Sequence, residues 1–484
     1  MTEEWFTDPP ETRRNMADDP HRPNYHFLPP RNWMNDPNGL FYWQGRYHLF
    51  YQFNPYRPVW GFIHWGHASS LDLIHWEDHP LALTPTDDTG DANGCWSGCV
   101  VEDHGAPTAI YTGFVDPEHT PVMLARAQDP DLLTWQKSPD NPILEAPPEG
   151  VNRTDFRDPY VWREDGTWKM VMGAGLERGE GAVLLYQSKD LLNWDDLGLL
   201  IADRTLDPVQ MWECPNFFPL ADKYVLLVSL FPGVLGVYFY VGEYDGRTFT
   251  PETEGFLTES PFFYATQVRQ MKDDRTILFG WLLEGREDEA LEKAGWAGVQ
   301  SLPCELGLDE EGRLTSHPVQ ETQSLRGECY QISAVELSEG ERRRLPVAGR
   351  HLEIQLSFEL SDADCCLDLL AAPNGVEKTS LRLKPHERKL ELDLRESSRS
   401  GKLKRPCLTV RLPDNKLEKL TLRVFLDASV IEVFVNDQIA LTGRAYPEDD
   451  QANGLYLSSW GGRVKVEELK IWEMKSIWPT SGEI

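Results

Sequence analysis

Three acidic residues stand at matching places in this chain. They are Asp36 in Asn32-Trp33-Met34-Asn35-Asp36-Pro37-Asn38-Gly39, Asp158 in Arg157-Asp158-Pro159, and Glu213 in Trp212-Glu213-Cys214-Pro215. Each is followed within two residues by proline and then by a β-prone run. Singly, each has an ordinary reading. Asn-Asp-Pro-Asn-Gly is turn composition, because proline presets φ and Asn or Gly tolerates positive φ. Asp158 suits a turn or an ion pair with Arg157, and Glu213 suits an exposed position. Together they offer the chemistry that two carboxylates perform across a glycosidic bond. One, ionised, attacks the anomeric carbon, and the other, protonated, releases the alcohol; a retaining enzyme holds them about 5–5.5 Å apart. The negative charge of one raises the pKa of the other and keeps it protonated near neutral pH.

Residues this far apart meet only if the fold is built to bring them together, and the surrounding pattern predicts such a fold. Aromatic, β-prone runs flank Gln44-Gly45, Glu164-Asp165-Gly166 and Ala221-Asp222, which reads as hairpins. Ser70-Leu71-Asp72-Leu73-Ile74-His75-Trp76 is repeated as Asp129-Pro130-Asp131-Leu132-Leu133-Thr134-Trp135 and as Ser188-Lys189-Asp190-Leu191-Leu192-Asn193-Trp194. The tryptophans at 76, 135 and 194 are evenly spaced, and Tyr244-Asp245-Gly246-Arg247-Thr248-Phe249 is a fainter fourth copy. A period in the high fifties with several short strands in each copy fits propeller blades of about four strands. Residues 24–312 then make a five-bladed β-propeller, in which the acids near the start of successive blades converge on one axial pocket.

Residues 1–23 read as an irregular N-terminal arm and 313–335 as a linker. Over 336–484 the texture changes to period-2 alternation, as in His351–Phe358, Leu420–Leu426 and Val430–Val435. That pattern predicts an antiparallel β-sandwich. No helix-period segment stands out, so the fold class is all-β.

The formal charge of −31 disfavours nucleic acid and anionic membrane surfaces as partners and suits a neutral substrate. No run of about 18 apolar residues is present, and residues 1–25 show no secretory signal, so the chain is expected to be cytoplasmic. The eight cysteines are sparse and show no CxxC pairing, which predicts reduced, mostly buried thiols. His64, His67, His75 and His79 are close in sequence, but no Cys or carboxylate completes a ligand set, so neither a metal nor another cofactor is expected.

Taken in order, the three acidic motifs resemble those of glycoside hydrolase family 32, the invertase-type enzymes, and the resemblance covers nearly the whole chain. It implies a five-bladed propeller followed by a β-sandwich. It also implies Asp36 as nucleophile at C2 of a fructosyl unit, Glu213 as general acid and then base, and Asp158 as transition-state stabiliser with Arg157 beside it. Asn35, Gln52, Trp60, Trp96, Ser97, Tyr264 and Trp281 match fructose-pocket residues. Trp96-Ser97-Gly98-Cys99 departs from the Phe-Ser-Gly-Ser of many members, and the larger ring is expected to narrow the pocket or alter contacts beyond fructose.

The expected function is therefore a retaining β-fructofuranosidase acting on sucrose and short fructo-oligosaccharides. Exo-inulinase or levanase, sucrose-6-phosphate hydrolase and fructosyltransferase share the mechanism. From another class, a non-catalytic carbohydrate-binding propeller is the alternative; it would be expected to have lost one of the acids, and all three are present. A homodimer assembled through the sandwich is compatible with the sequence.

Overall fold

A computed structural model describes residues 11–13, 16, 18–203, 206, 209–232, 236–258, 260–359, 363–412, 419–436 and 439–478. Parts of the expected arm, residues 1–10, 14, 15 and 17, lie outside them.

Five four-stranded antiparallel blades make the first domain. Blade 1 is Asn32–Trp43, Arg46–Asn54, His64–Ser70 and Trp76–Leu83. Blade 2 is Gly94–Asp103, Ala106–Phe114, Val122–Ala127 and Trp135–Lys137. Blade 3 is Val151–Glu164, Thr167–Leu176, Glu180–Ser188 and Trp194–Asp203. Blade 4 is Met211–Leu220, Lys223–Phe231, Val237–Tyr244 and Phe249–Thr258. Blade 5 is Phe263–Gln270, Thr276–Leu282, Cys304–Leu308 and Leu314–Pro318. Each first strand touches the first strand of the next blade, and that of blade 5 touches that of blade 1, so the ring is closed. The expected hairpin turns at Gln44-Gly45 and Asp165-Gly166 have both residues at positive φ, the twist that joins adjacent antiparallel strands.

The sequence repeat has a local physical cause. Asp72, Asp129, Asp190 and Asp245 each accept backbone N–H groups from residues two to five positions on, which folds the chain into an Asx-type turn. Leu73, Leu132 and Leu191 sit at positive φ inside those turns. The following tryptophans, Trp76, Trp135 and Trp194, donate their indole N–H to the carbonyls of these leucines at 3.0, 2.9 and 3.1 Å. Each of these tryptophans begins the outermost strand of its blade, and Phe249 does the same in blade 4. The repeat is thus the corner that turns the chain into the outer edge of blades 1 to 4.

Between the second and third strands of blade 5 the chain makes an excursion. It contains the short helix Asp288–Ala294, which the sequence pattern did not reveal. It ends in two short strands. Trp296–Ala297 pairs in parallel with Asn32 and Trp33 of blade 1, and Val299–Gln300 pairs with Trp281 and Leu282 of blade 5.

The stretch 313–335, expected as a linker, instead contains the outer strand of blade 5, a 3₁₀ turn at Gln320–Leu325 and the strand Arg326–Ile332 of the second domain. That domain is a sandwich of two antiparallel sheets. One runs Arg326–Ile332, Val464–Met474, His351–Glu359, Lys419–Asp427, Val430–Val435 and Ile439–Arg444, with Val335–Leu337 also on Val464–Met474. The other runs Arg342–Ala348, Gly454–Trp460, Asp364–Ala371, Thr379–Lys384, Lys389–Asp393 and Cys407–Arg411. Their inner faces share a core that includes Ile354, Val424, Leu426, Val433, Leu367, Leu381 and Leu457. The cysteines are all unpaired thiols; Cys329 is exposed, Cys407 is half-buried and the others are buried.

Buried charge joins the domains. His26 sits between two sandwich carboxylates, with Nδ1 2.8 Å from Asp427 and Nε2 2.8 Å from Glu432. Asp427 also accepts the backbone N–H groups of Asn24, Tyr25 and His26. At a second node, Glu284 of the blade 5 excursion accepts from Arg444 and Tyr446 of the sandwich, from Arg286 and from the N–H of Gly298.

Candidate active site

The innermost strand of every blade carries the same irregularity, two residues set opposite one. Asn35 and Asp36 face Gln52 in blade 1, and Trp96 and Ser97 face Thr112 in blade 2. Asp158 and Pro159 face Met172 in blade 3, Cys214 and Pro215 face Val228 in blade 4, and Ala265 and Thr266 face Gly280 in blade 5. A bulge of this kind bends the strand and re-aims its side chains. The prolines explain three of the five. Pro37, Pro159 and Pro215 have no N–H to give the ladder, so regular pairing breaks beside them. Asp158, Cys214 and Ala265 take positive φ of 67°, 47° and 49° at these points. Five equivalent bulges around one axis bring residues separated by more than a hundred positions to a common centre.

The carboxylate of Asp36 is held by a polar cage. Its Oδ2 accepts from the Ser97 hydroxyl at 2.6 Å and from Gln52 Nε2 at 3.2 Å, and its Oδ1 accepts from Asn35 Nδ2 at 3.1 Å. The cage is braced in turn. Trp33 Nε1 donates to Asn35 Oδ1 at 2.9 Å, Gln52 Nε2 donates to Ser97 at 2.6 Å, and Gln300 Nε2 donates to the Asn35 carbonyl at 2.8 Å. Burial pushes the Asp36 carboxyl up to about 6, helped by the charge of Glu213 and opposed by donation from Ser97, Asn35 and Cys214.

Asp158 accepts the backbone N–H of Cys214 at 3.0 Å, and its own N–H is taken by the Thr112 hydroxyl at 2.9 Å. Burial pushes its carboxyl up to about 7; Arg157 pulls it down, and Glu213 and Asp36 add to the rise. Glu213 is gripped at both oxygens. Arg157 donates through Nε at 2.9 Å and Nη2 at 2.5 Å to Oε1, and the Tyr264 hydroxyl donates at 2.5 Å to Oε2. Burial alone would lower the Arg157 guanidinium, but Glu213 and Asp158 outweigh it and hold it above its usual value.

Three tryptophans line the walls. Trp281 packs edge-on against Trp33 at 5.8 Å, and its indole N–H is buried without a partner among the described residues. Trp96 stacks on Phe114 at 4.1 Å and meets Trp60 edge-on at 5.9 Å. Trp60 itself stands at the rim, 55% exposed. The residues singled out in the sequence are therefore brought to one place: Asp36, Asn35, Gln52 and Ser97 around one carboxylate, Arg157, Tyr264 and Glu213 around another, Asp158 between them, and Trp60, Trp96 and Trp281 as wall and rim.

Other members of the site went unnoticed in the sequence. The Cys214 thiol lies 3.6 Å from Asp36 Oδ2 and 3.5 Å from Asp158 Oδ2, so it is shared by two carboxylates from different blades. Below them, Asn38 Oδ1 accepts the N–H of Gly98, Asn216 Oδ1 accepts the N–H of Val268, and Gln267 Oε1 accepts the N–H of Gly39. These amides satisfy backbone groups that the bulges leave out of the ladders. They close the axis to a cavity of about 10 Å³, room for about one water. A signal for two of them was present: the dipeptide Pro-Asn follows Asp36 directly as Pro37-Asn38 and follows Glu213 after Cys214 as Pro215-Asn216.

This geometry agrees with comparisons to known proteins. The model for the glycosyl hydrolases family 32 N-terminal domain matches residues 26–318, and that for the family 32 C-terminal domain matches 321–473. A sucrose-6-phosphate hydrolase from Zymomonas mobilis is 35% identical, across 94% of this chain and 92% of that protein. A raffinose invertase from Escherichia coli is 33% identical, across 88% of this chain and 90% of the relative. The crystal structure of fructan 1-exohydrolase IIa from Cichorium intybus in complex with 1-kestose superposes with a TM-score of 0.88 at 28% identity, covering 96% of this chain and 99% of that one. With both domains matched by the family's models, and with relatives this similar along almost their whole length, the chain belongs to glycoside hydrolase family 32.

Proposed function

We propose that the protein is a retaining β-fructofuranosidase that hydrolyses sucrose and short fructo-oligosaccharides through a covalent fructosyl-enzyme. The observation that carries this reading is the meeting of Asp36, Asp158 and Glu213 from three blades: the Cys214 thiol, next to Glu213 in the chain, lies 3.6 Å from Asp36 Oδ2 and 3.5 Å from Asp158 Oδ2. Asp36, oriented by Ser97, Gln52 and Asn35, attacks C2 of the fructosyl unit. Glu213 gives its proton to the departing glycosidic oxygen. Because Arg157 occupies Oε1, the transferred proton rides on Oε2, the oxygen that faces Tyr264. Glu213 then takes a proton from water, which attacks C2 and releases Asp36. Asp158 accepts from fructose hydroxyls and offsets the positive charge that develops on the ring. The Trp281 N–H supplies a further donor to the sugar.

The test is sucrose hydrolysis by the wild type, Asp36→Asn and Glu213→Gln. Each substitution is expected to remove several kcal/mol of barrier lowering, with about 1.36 kcal/mol for each tenfold. An active Asp36→Asn protein would end the assignment. Retention is checked separately, by the anomeric configuration of the first fructose released.

The likeness to the Zymomonas mobilis sucrose-6-phosphate hydrolase favours a second reading, in which the glucose of the substrate carries a phosphate. Comparing kcat/KM for sucrose and for sucrose 6-phosphate separates the two. The proposal also includes a cytoplasmic location, which the free thiols support, since reducing compartments keep cysteines unpaired. Among the described residues no helix is long and apolar enough to cross a membrane. A homodimer through the sandwich completes the proposal, and light scattering of the purified chain measures it.

A further inference from the structure

Among the described residues, most of the exposed aromatic side chains lie on one loop of blade 1 or beside the site, in excess of what the chemistry at C2 uses. Five large aromatic side chains among the described residues are exposed: Tyr56 at 64%, Trp60 at 55%, Phe62 at 69%, Phe231 at 38% and Trp460 at 49%. Trp460 belongs to the sandwich. The first three share the loop 55–63, between two strands of blade 1, and Phe231 lies beside the site, with the Arg157 guanidinium 5.6 Å from its ring centre. Large rings exposed together mark interaction sites and ligand-binding grooves.

The loop is not a loose tether for these rings. Asn32 Nδ2 donates to the Pro55 carbonyl at 2.6 Å, Asn54 Nδ2 donates to the Val59 carbonyl at 2.8 Å, and the N–H of Tyr56 donates back to Asn54 Oδ1 at 3.0 Å. At the far end, the N–H of Cys95 donates to the Ile63 carbonyl at 2.8 Å, directly before Trp96. Arg57 is ion-paired with Glu292 of the helix Asp288–Ala294. Ile63 is buried in one cluster with Trp33, Leu291 and Ala297, against which Trp96 and Trp281 pack. Phe62 is held at φ 48°, a conformation that a bulky residue rarely adopts, and its ring meets Tyr56 edge-on at 6.4 Å. The loop therefore presents Tyr56, Trp60 and Phe62 in fixed places, with backbone strain accepted at the most exposed of them.

We propose that Tyr56 and Phe62, continuing outward from Trp60, form a stacking platform for neutral sugar units beyond the one held in the fructose pocket. It makes the enzyme selective for oligosaccharides longer than sucrose. The inference rests on the proposed fructofuranosidase reading and names its preferred substrate class. Three observations set the class of ligand. Flat apolar rings suit the C–H faces of sugar rings, and rigid presentation keeps the entropy cost of binding low. The loop's one cation, Arg57, is already paired with Glu292, so the platform offers no free charge to a phosphate or another anion. The platform is tied through Trp60 and Trp96 to Ser97, which holds Asp36, so a chain lying on it enters the pocket by its terminal unit.

The experiment compares sucrose, 1-kestose and nystose as substrates of the wild type, Phe62→Ala, Tyr56→Ala/Phe62→Ala and Phe62→Tyr. The ratio of kcat/KM for nystose to that for sucrose is expected to fall about tenfold in the double variant, a shift of about 1.4 kcal/mol. The loss should lie in KM rather than kcat, and Phe62→Tyr should restore most of it. An unchanged ratio in the folded double variant would overturn the platform. So would a dimer that the double variant converts to monomers without changing the ratio, because the rings would then be covered by a second copy of the chain. Calorimetric binding of nystose and sucrose to Asp36→Asn, with and without Phe62→Ala, keeps the test separate from the proposed chemistry. A protein that hydrolyses none of the three sugars refutes the fructofuranosidase reading, whereas nystose binding that ignores Phe62 refutes the platform alone.

Discussion

The hydroxyl of Tyr264 donates to Oε2 of Glu213 at 2.5 Å, while Arg157 engages only the other oxygen. Among the described residues, the phenol is thus the one side-chain partner of the carboxyl oxygen that delivers the proton in the proposed mechanism. Glu213 becomes charged as it gives up that proton, and a hydrogen bond to a charged group is worth about 1.5–3 kcal/mol. Tyr264→Phe should therefore lower kcat for sucrose by roughly ten- to a hundredfold. The ring's packing against Cys214, Ala265 and Leu283 survives the substitution, so the melting temperature should stay near that of the wild type. Steady-state kinetics and a thermal melt check both halves.

Asp36 should set one step of the acid limb of activity, below the step set by Asp158, whose carboxyl is raised to about 7. Asp36 must be ionised to attack, and its carboxyl is raised to about 6, so kcat/KM should fall as the pH drops through that value. Ser97 donates to the charged form and so lowers this pKa. Ser97→Ala should move this step of the acid limb to higher pH. A pH–rate profile of the two proteins decides it, and a step that moves to lower pH contradicts the proposed role of Ser97.

Asp158 should destabilise the fold at the pH where the enzyme works. Its carboxyl is pushed up to about 7 in the folded chain by burial, well above its value in the unfolded chain. Folding therefore favours the protonated form, and that contribution is lost as the pH rises through the folded value. Asp158→Asn removes the buried charge. Its melting temperature should exceed that of the wild type by ~2 °C or more at pH 8, with a smaller gap at pH 5, while sucrose hydrolysis is lost. Calorimetric scans at the two pH values measure the difference.

His26 carries the opposite sign. Burial works against its charge, but the hydrogen bonds it donates to Asp427 and Glu432 outweigh it and raise the imidazole to about 9. Asp427 is correspondingly held below the usual carboxylate range, against its own burial, by His26 and His351. A raised histidine adds stability that is complete below its unfolded pKa of about 6.5 and is lost as the pH rises through the folded value. The wild type should thus become less stable between about pH 6.5 and 9, by undocking of the domains. His26→Gln should flatten that slope and cost about 3–5 kcal/mol at pH 6, as expected when one partner of a buried pair is removed. A melt series across pH reads both effects.

The acids were legible in the sequence because each lies beside a proline that interrupts a strand at the same point of its blade. The repeated aspartate and tryptophan gave the blade period because the corner has an Asx turn in blades 1 to 4 and an indole donor in the first three. The bulges of blades 2 and 5 left no trace of composition, since a two-for-one register shift needs no particular residue. Ala265 and Thr266 in blade 5 look like any strand interior. The linker expected over 313–335 failed for a related reason. Arg326–Ile332 is an edge strand, mostly solvent-facing, so it alternates too little to stand out from a polar connection. The helix Asp288–Ala294 is under two turns long and buries only Leu291, which leaves no periodicity to read. Glu284 and Arg444 are 160 positions apart, and nothing local in either marks a partner in the other domain.

The strand that carries Asp36 begins at Asn32, and its parallel neighbour begins at Trp296. Between them lies nearly the whole propeller. During synthesis on the ribosome, the first motif must wait for most of the chain to emerge before the edge beside it is covered. Only then can Gln300 reach the Asn35 carbonyl. Ring closure and completion of the Asp36 cage are thus one event, late in translation, and a truncated chain ending within blade 5 would keep every acid in its sequence yet have no finished pocket.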